Sequence, residues 1–147
     1  KTIAEIYNKE YNVEVKVVRN IPDRKEMHLL RSKADLGLPA DKKIILLQGG
    51  GINIERGVEE AVQAMQYIED AVFLIIGGGD IIDCLKEMVI DLKLSEKVRF
   101  ISRLPFNELV QYTRFADTGL SIDKDTNSNY KYSLPNKIFD YINSTNT

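Results

Sequence analysis

Three consecutive glycines, Gly49-Gly50-Gly51, follow an unbroken apolar run at residues 44–47 and precede a stretch with helical apolar spacing. Glycine lets a backbone approach a ligand closely. A helix start adds N–H groups with no intrahelical partner and the positive end of a dipole. A phosphate is the natural ligand of such a turn. The helix is expected to begin near Asn53, which puts Arg56 in its first turn, where a guanidinium adds a charge-assisted bond to the same anion. Gly57, beside it, lets the chain pack tightly. A tight turn alone would also account for the three glycines. No Lys-Ser/Thr pair follows them, and Ile54 stands where a G-x-G-x-x-G run would have its third glycine, so the ATPase P-loop and the NAD fingerprint are both absent.

The most informative stretch is Ser133-Leu134-Pro135-Asn136-Lys137-Ile138-Phe139-Asp140-Tyr141. Ser133 suits a helix cap and Pro135 a first turn. Lys137, Asp140 and Tyr141 then share a face beside a buried stripe of Leu134, Ile138 and Ile142. A cation and a carboxylate at a helix start can hold a phosphate and a ribose diol. A solvated Lys–Asp pair of small energetic weight is the alternative. Gly77-Gly78-Gly79-Asp80 ends a second apolar run. There, turn geometry with Asp80 as an N-cap is the simpler explanation and ligand contact the other.

Little other chemistry is on offer. One histidine, His28, and one cysteine, Cys84, cannot build a zinc site. His28 reads as solvated or half-packed. Cys84, between Ile82 and Leu85, reads as an inert small apolar residue. No nucleophile elbow or Ser/His/Asp set is identifiable, and the scattered carboxylates define no glycosidase pair.

The elements that must position these residues follow from the apolar pattern. Residues 2–12 have helical spacing, residues 13–18 alternate as a half-buried strand would, and residues 24–33 read as a linker with a short helix. From residue 44 onward, strands at 44–47, 71–76, 98–101 and 118–122 alternate with helices marked by Ile54 to Ile68, Ile82 to Leu92, Leu109 to Phe115, and Leu134 to Ile142. Unbroken apolar strands alternating with helices predict an α/β fold: a Rossmann-like parallel sheet covered on both faces. Ligands of such sheets lie beyond the carboxyl ends of the strands, where the glycine turns stand. Such domains often have more than four strands, so the sheet is expected to be cut short at the C-terminus.

Composition sets bounds on function. The 147 residues carry a formal net charge of -2, with 44% hydrophobic and 29% charged residues, the balance of a folded globular domain. Charges of both signs are interspersed, which argues against nucleic acid or a polybasic membrane contact as the main partner. A lone cysteine fits a reducing compartment. Apolar runs of about five residues fall far short of the ~20 that a membrane span needs. The start, Lys1-Thr2-Ile3-Ala4-Glu5, has neither a signal-peptide core nor a Met, so a piece of a longer chain is expected.

In order and spacing these motifs resemble the second domain of family 4 (group 1) retaining glycosyltransferases, which have the GT-B fold. Ile45-Leu46-Leu47-Gln48-Gly49-Gly50-Gly51 through Ile54-Glu55-Arg56-Gly57-Val58 is similar to the first strand, phosphate loop and helix start of that domain. Phe73-Leu74-Ile75-Ile76-Gly77-Gly78-Gly79-Asp80 is similar to its second strand. Val98-Arg99-Phe100-Ile101-Ser102-Arg103-Leu104-Pro105, with Glu108-Leu109 and Ala116-Asp117, resembles its third strand, base-contacting loop and fourth strand. Residues 133–142 resemble its acidic motif. Val17-Val18-Arg19-Asn20-Ile21-Pro22-Asp23 resembles the crossing between its two domains.

The resemblance covers roughly residues 13–142. It implies a tail of the N-terminal domain and linker at 1–22 and an incomplete nucleotide-sugar-binding domain at 23–147. It further implies a UDP- or GDP-sugar donor, with Arg56, Lys137 and the N–H groups of Gly49, Gly50 and Gly51 on the diphosphate. Asp140 would take the ribose hydroxyls, and Arg103 and Leu104 would border the base. No metal or other cofactor is implied, and no catalytic residue is assigned. The sugar would pass with retention to a glycan or lipid-linked acceptor in the cytoplasm, peripherally at the inner membrane face. Contact there would come mainly from the missing N-terminal domain, and the 147 residues alone are expected to bind nucleotide weakly and transfer nothing. Three positions depart from the family pattern: Gly50 stands where many members have Arg, Asp140 where most have Glu, and Tyr132 where one form of the motif has a first Glu.

A non-catalytic nucleotide-binding module and a GT-B sugar-nucleotide epimerase would share these layers. A receiver-type signalling domain would need acidic residues at the early strand ends, where Gln48 and glycines stand instead.

Overall fold

The computed structural model describes residues 2–18, 21 and 30–144. The chain runs α1 (Ile3–Tyr11), β1 (Lys43–Gly49), α2 (Val58–Ala64) with a 3-10 turn at Met65–Tyr67, β2 (Ala71–Gly77), α3 (Ile82–Asp91), β3 (Val98–Ile101), α4 (Phe106–Thr113), β4 (Thr118–Gly119), α5 (Ser128–Tyr132) and α6 (Asn136–Ser144). All four strands are parallel, in the order β3-β2-β1-β4. This is the Rossmann-like layering that the sequence predicts.

The apolar runs are unbroken because alternate residues serve opposite faces. Leu47, Phe73 and Ile75 join Val58, Val62, Leu85 and Val89 from α2 and α3 in one core cluster. Ile44, Leu46, Val72, Leu74 and Ile76 face the other way, where Leu36, Leu38, Leu104, Leu109, Tyr112 and Tyr141 cover them. Full burial of each large aliphatic side chain contributes ~1.5–3 kcal/mol.

Register brings the two glycine turns together. Gly49 at the end of β1 is paired with Gly77 at the end of β2. Beyond the strands, Gly78 N donates to Gly49 O at 3.3 Å and Ile52 N donates to Gly78 O at 3.0 Å. Gly77 sits at φ 140°, and a Cβ there would fall on the Gly49 carbonyl. The second triplet therefore serves close approach to the first.

Several expected elements differ. Residues 13–18 form no strand: no described strand lies beside them to complete a ladder, and Val18 is 92% exposed. The helix at 2–12 is present, begun by a capping box in which Thr2 Oγ1 accepts from Glu5 N at 3.3 Å and Thr2 N donates to Glu5 Oε2 at 3.1 Å. The fourth strand pairs only at Thr118 and Gly119 before the chain turns away. Helix α3 starts at Ile82 with Ile81 at the cap and no side-chain bond, so Asp80 is not the cap. Asp80 N instead donates to Asn53 Oδ1 at 3.4 Å. Cys84 is exposed on α3 rather than packed. The short helix α5, capped by Asn127, was not foreseen, and Ser133 closes it by donating to Tyr130 O at 3.1 Å instead of capping α6. Leu134 and Ile142 are 51% and 56% exposed, because Tyr141 is the α6 residue that enters the core. His28, most of the linker stretch, the core of the domain crossing and the boundary at residue 22 lie outside the described residues.

Among the described residues no helix is long and apolar enough to cross a membrane.

Candidate functional site

A cavity of about 200 Å³ opens beyond the carboxyl end of β1, lined by Gln48, the turn Gly49-Gly50-Gly51, Arg56 and Lys137, with Val58, Pro135 and Asn136 at its walls. The first residues of α2 and α6 thus meet the glycine turn, and both helix starts bring N–H groups that lack intrahelical partners. Positions 56 and 137 are 81 residues apart and converge on one cavity.

Arg56 arrives by a different route from the one expected. Helix α2 begins at Val58, not near Asn53, so Arg56 precedes it by two residues. Glu55 and Gly57 both have left-handed backbones, at φ 67° and 73°, and they break the helix there. A Cβ on Gly57 would press on the carbonyl of Ile122, so close packing of this turn under the segment after β4 requires glycine. That segment supplies Asp123, whose Oδ1 lies 3.4 Å from Arg56 Nη1, and the Tyr130 ring lies 4.6 Å from the guanidinium carbon. Arg56 Nε is buried without a partner among the described residues.

Lys137 is half-buried in the same cluster. Burial pushes its ammonium below the usual lysine range, Asp123 opposes that shift and Arg56 adds to it. Two cations therefore share one carboxylate, leaving net positive charge at a partly desolvated site. An anion docking there would offset both the burial and the mutual repulsion.

Asp140 does not line this cavity. Its Oδ2 accepts from Gln48 Nε2 at 2.9 Å, and Gln48 Oε1 accepts from Thr113 Oγ1 at 2.8 Å. Burial raises the Asp140 carboxyl above its ordinary value, with the Gln48 bond pulling the other way. Arg103 lies over the glycine turns: its Nη2 donates to Gly50 O, and its Nε would be 3.3 Å from a Cβ on Gly78. Leu104 turns inward and packs against the core cluster that contains Ile76. Gly49, Gly50, Gly51, Arg56 and Lys137 are thus brought together, Asp140 is joined to the cavity through Gln48, and Arg103 sits on the rim of the glycine turn.

Sequence reasoning missed Gln48, Asp123, Tyr130 and the role of Tyr141. The one available signal was a polar residue ending an otherwise apolar buried strand. Tyr141 OH accepts from Gln48 N at 3.3 Å and lies 3.4 Å and 3.2 Å from Leu46 O and Leu120 O, joining α6 to the ends of β1 and β4. Burial pushes its phenol up to about 12 from 10.0. A raised acid pKa favours the protonated fold, so this stability is present below pH ~10 and is lost as pH rises from there towards 12. The span corresponds to about 2–3 kcal/mol. Tyr141→Phe should be destabilised at neutral pH by ~1–3 kcal/mol in urea unfolding. It should also lose less stability than wild type between pH 10 and 12. Equal alkaline losses in the two proteins would contradict this assignment.

Among the described residues no group of three or more His, Cys, Asp or Glu side chains is placed to hold a metal ion. Residues 31–120 match the family described as glycosyl transferases group 1. A search of curated proteins gives no match. Among solved structures, sucrose-phosphate synthase from Thermosynechococcus elongatus is 25% identical, with a TM-score of 0.58 over 80% of this chain and 32% of that one. TarM from S. aureus, solved with fondaparinux, alpha-GlcNAc-glycerol and UDP, gives a TM-score of 0.60 at 12% identity over 80% of this chain and 22% of that one. The pneumococcal O-GlcNAc transferase GtfA, solved with UDP and GlcNAc, gives 0.59 at 15% identity over 97% of this chain and 26% of that one. The chain spans about a third or less of the length of these proteins.

Proposed function

Since the chain belongs to the group 1 glycosyl transferases, we propose that its glycine-turn cavity takes the diphosphate of a UDP- or GDP-sugar donor. In the whole enzyme the sugar then passes, with retention, to a glycan or lipid-linked acceptor. The observation that carries this is the meeting of Arg56, Lys137 and two helix starts on Gly49-Gly50-Gly51. When the glycosidic bond to the diphosphate breaks, the leaving group gains negative charge. Fixed cations and N–H dipoles in a partly desolvated pocket stabilise that charge without reorganising, and the reaction needs no metal ion for it. Asp140 takes the ribose hydroxyls, and Arg103 borders the base together with the backbone of Leu104, whose side chain faces the core. UDP in the TarM and GtfA structures is of the same donor class. Glycan or lipid-linked acceptors place the enzyme in the cytoplasm, at the inner face of the membrane.

A calorimetric and thermal-shift panel of UDP, GDP, their sugars and NAD tests this directly. UDP or GDP should bind and raise Tm as mass action requires, and NAD should not. Binding of NAD alone, or of nothing in the panel, would refute the donor assignment.

A further inference from the structure

Gln48 is 2% exposed, at a level of the sheet where its partner in β2 is Ile76. An aliphatic residue would pack there without cost, whereas a buried amide is costly unless every polar atom is bonded. Here both halves of the amide are used: Nε2 on Asp140 Oδ2 at 2.9 Å and Oε1 on Thr113 Oγ1 at 2.8 Å. The orientation is dictated chemically. An ionised carboxylate only accepts, so the NH₂ must face Asp140, which turns the oxygen to the hydroxyl of Thr113; the single proton of that hydroxyl has Leu109 O, at 3.0 Å, as its other acceptor. Gln48 also lines the cavity beside the glycine turn. It therefore links the cavity wall to the one carboxylate of α6 that the donor reading assigns to ribose.

We propose that Gln48 is a positioning residue: with Thr113 fixing its amide, it holds the Asp140 carboxylate in the orientation that takes the ribose hydroxyls of the nucleotide. This rests on the donor-binding function proposed above. With Oδ2 tied to Gln48, the remaining acceptor sites of the carboxylate point in one direction, and a ribose meets a preorganised group instead of a rotating one.

The test compares a nucleoside diphosphate, UDP or GDP, with its 2′,3′-dideoxy counterpart, and uses inorganic pyrophosphate as a probe of the cation site alone. Wild type should prefer the ribonucleotide by about tenfold or more, the equivalent of one charge-assisted hydrogen bond. Gln48→Met, close in volume, should reduce that preference to within about threefold; because the preference is a ratio of two diphosphates, any change at the cation site, which pyrophosphate reports, cancels from it. Asp140→Asn should abolish the preference, and adding Gln48→Met to it should change nothing further, as expected of coupled neighbours. If Gln48→Met does not fold, Thr113→Val frees the same amide and is read the same way. A folded variant that keeps the full preference overturns the role of Gln48 and leaves the donor site standing. Failure of wild type to bind either nucleotide overturns the donor site, and the role of Gln48 with it.

Discussion

Replacing Arg56 or Lys137 by alanine should weaken binding of UDP or GDP by about ten- to a hundredfold, measured by isothermal titration. Each side chain supplies a hydrogen bond from a charged donor, of order 1.5–3 kcal/mol, and each 1.4 kcal/mol is a factor of about ten. Both line the cavity, and Asp123 is the carboxylate that, among the described residues, interacts with both. The double variant should lose less than the product of the single losses. Removing Arg56 relieves the repulsion on Lys137 and frees Asp123 to pair with the remaining ammonium. Arg56→Ala also removes the stack on Tyr130, so its Tm should fall slightly, whereas Lys137→Ala sheds a half-buried charge and should hold or gain stability. Affinities within twofold of wild type in both single variants would sink the diphosphate site.

The second large effect separates the two glycine triplets. Gly77→Ala should destabilise the protein by ~2–6 kcal/mol in chemical denaturation, the sum of a strained backbone at ~1–3 kcal/mol and forced overpacking at ~1–3 kcal/mol. Gly77 has φ 140°, and its new methyl would land on the carbonyl of Gly49 in the neighbouring strand. Neither backbone can yield without breaking the ladder that pairs them. Gly49→Ala meets nothing within 4 Å and should change stability by about 0.5 kcal/mol or less. Gly49 lines the cavity, so that substitution should act on nucleotide affinity instead. Similar stabilities for the two variants would show that the glycine turns do not approach each other as described.

These contrasts bear on what a linear reading can recover. Unbroken runs such as 71–76 are legible because a strand covered on both faces has no polar side, and all four were located. The convergence of Arg56 and Lys137 was legible too, because parallel topology brings strand ends and helix starts to one edge of the sheet. Caps were less so. Asp80 and Ser133 have the right chemistry, but α3 and α6 start at Ile82 and Asn136, while Asp80 N donates to Asn53 and Ser133 closes the preceding helix on Tyr130. Residues 13–18 show the opposite failure: the alternation is real, but a strand exists only where a neighbour completes it. Gln48 lay in full view as the one polar residue of its run, yet its partners, Thr113 and Asp140, are 65 and 92 positions away. No local pattern reports such a link.

The phenol of Tyr141 reaches Gln48 across 93 positions of chain. During synthesis the glycine turn, the first two strands and the helices between them are all made long before that phenol exists. On the proposed donor reading, a nucleotide would have nothing complete to hold until α6 has emerged and docked. It would then reward the finished domain by mass action without chaperoning the nascent one.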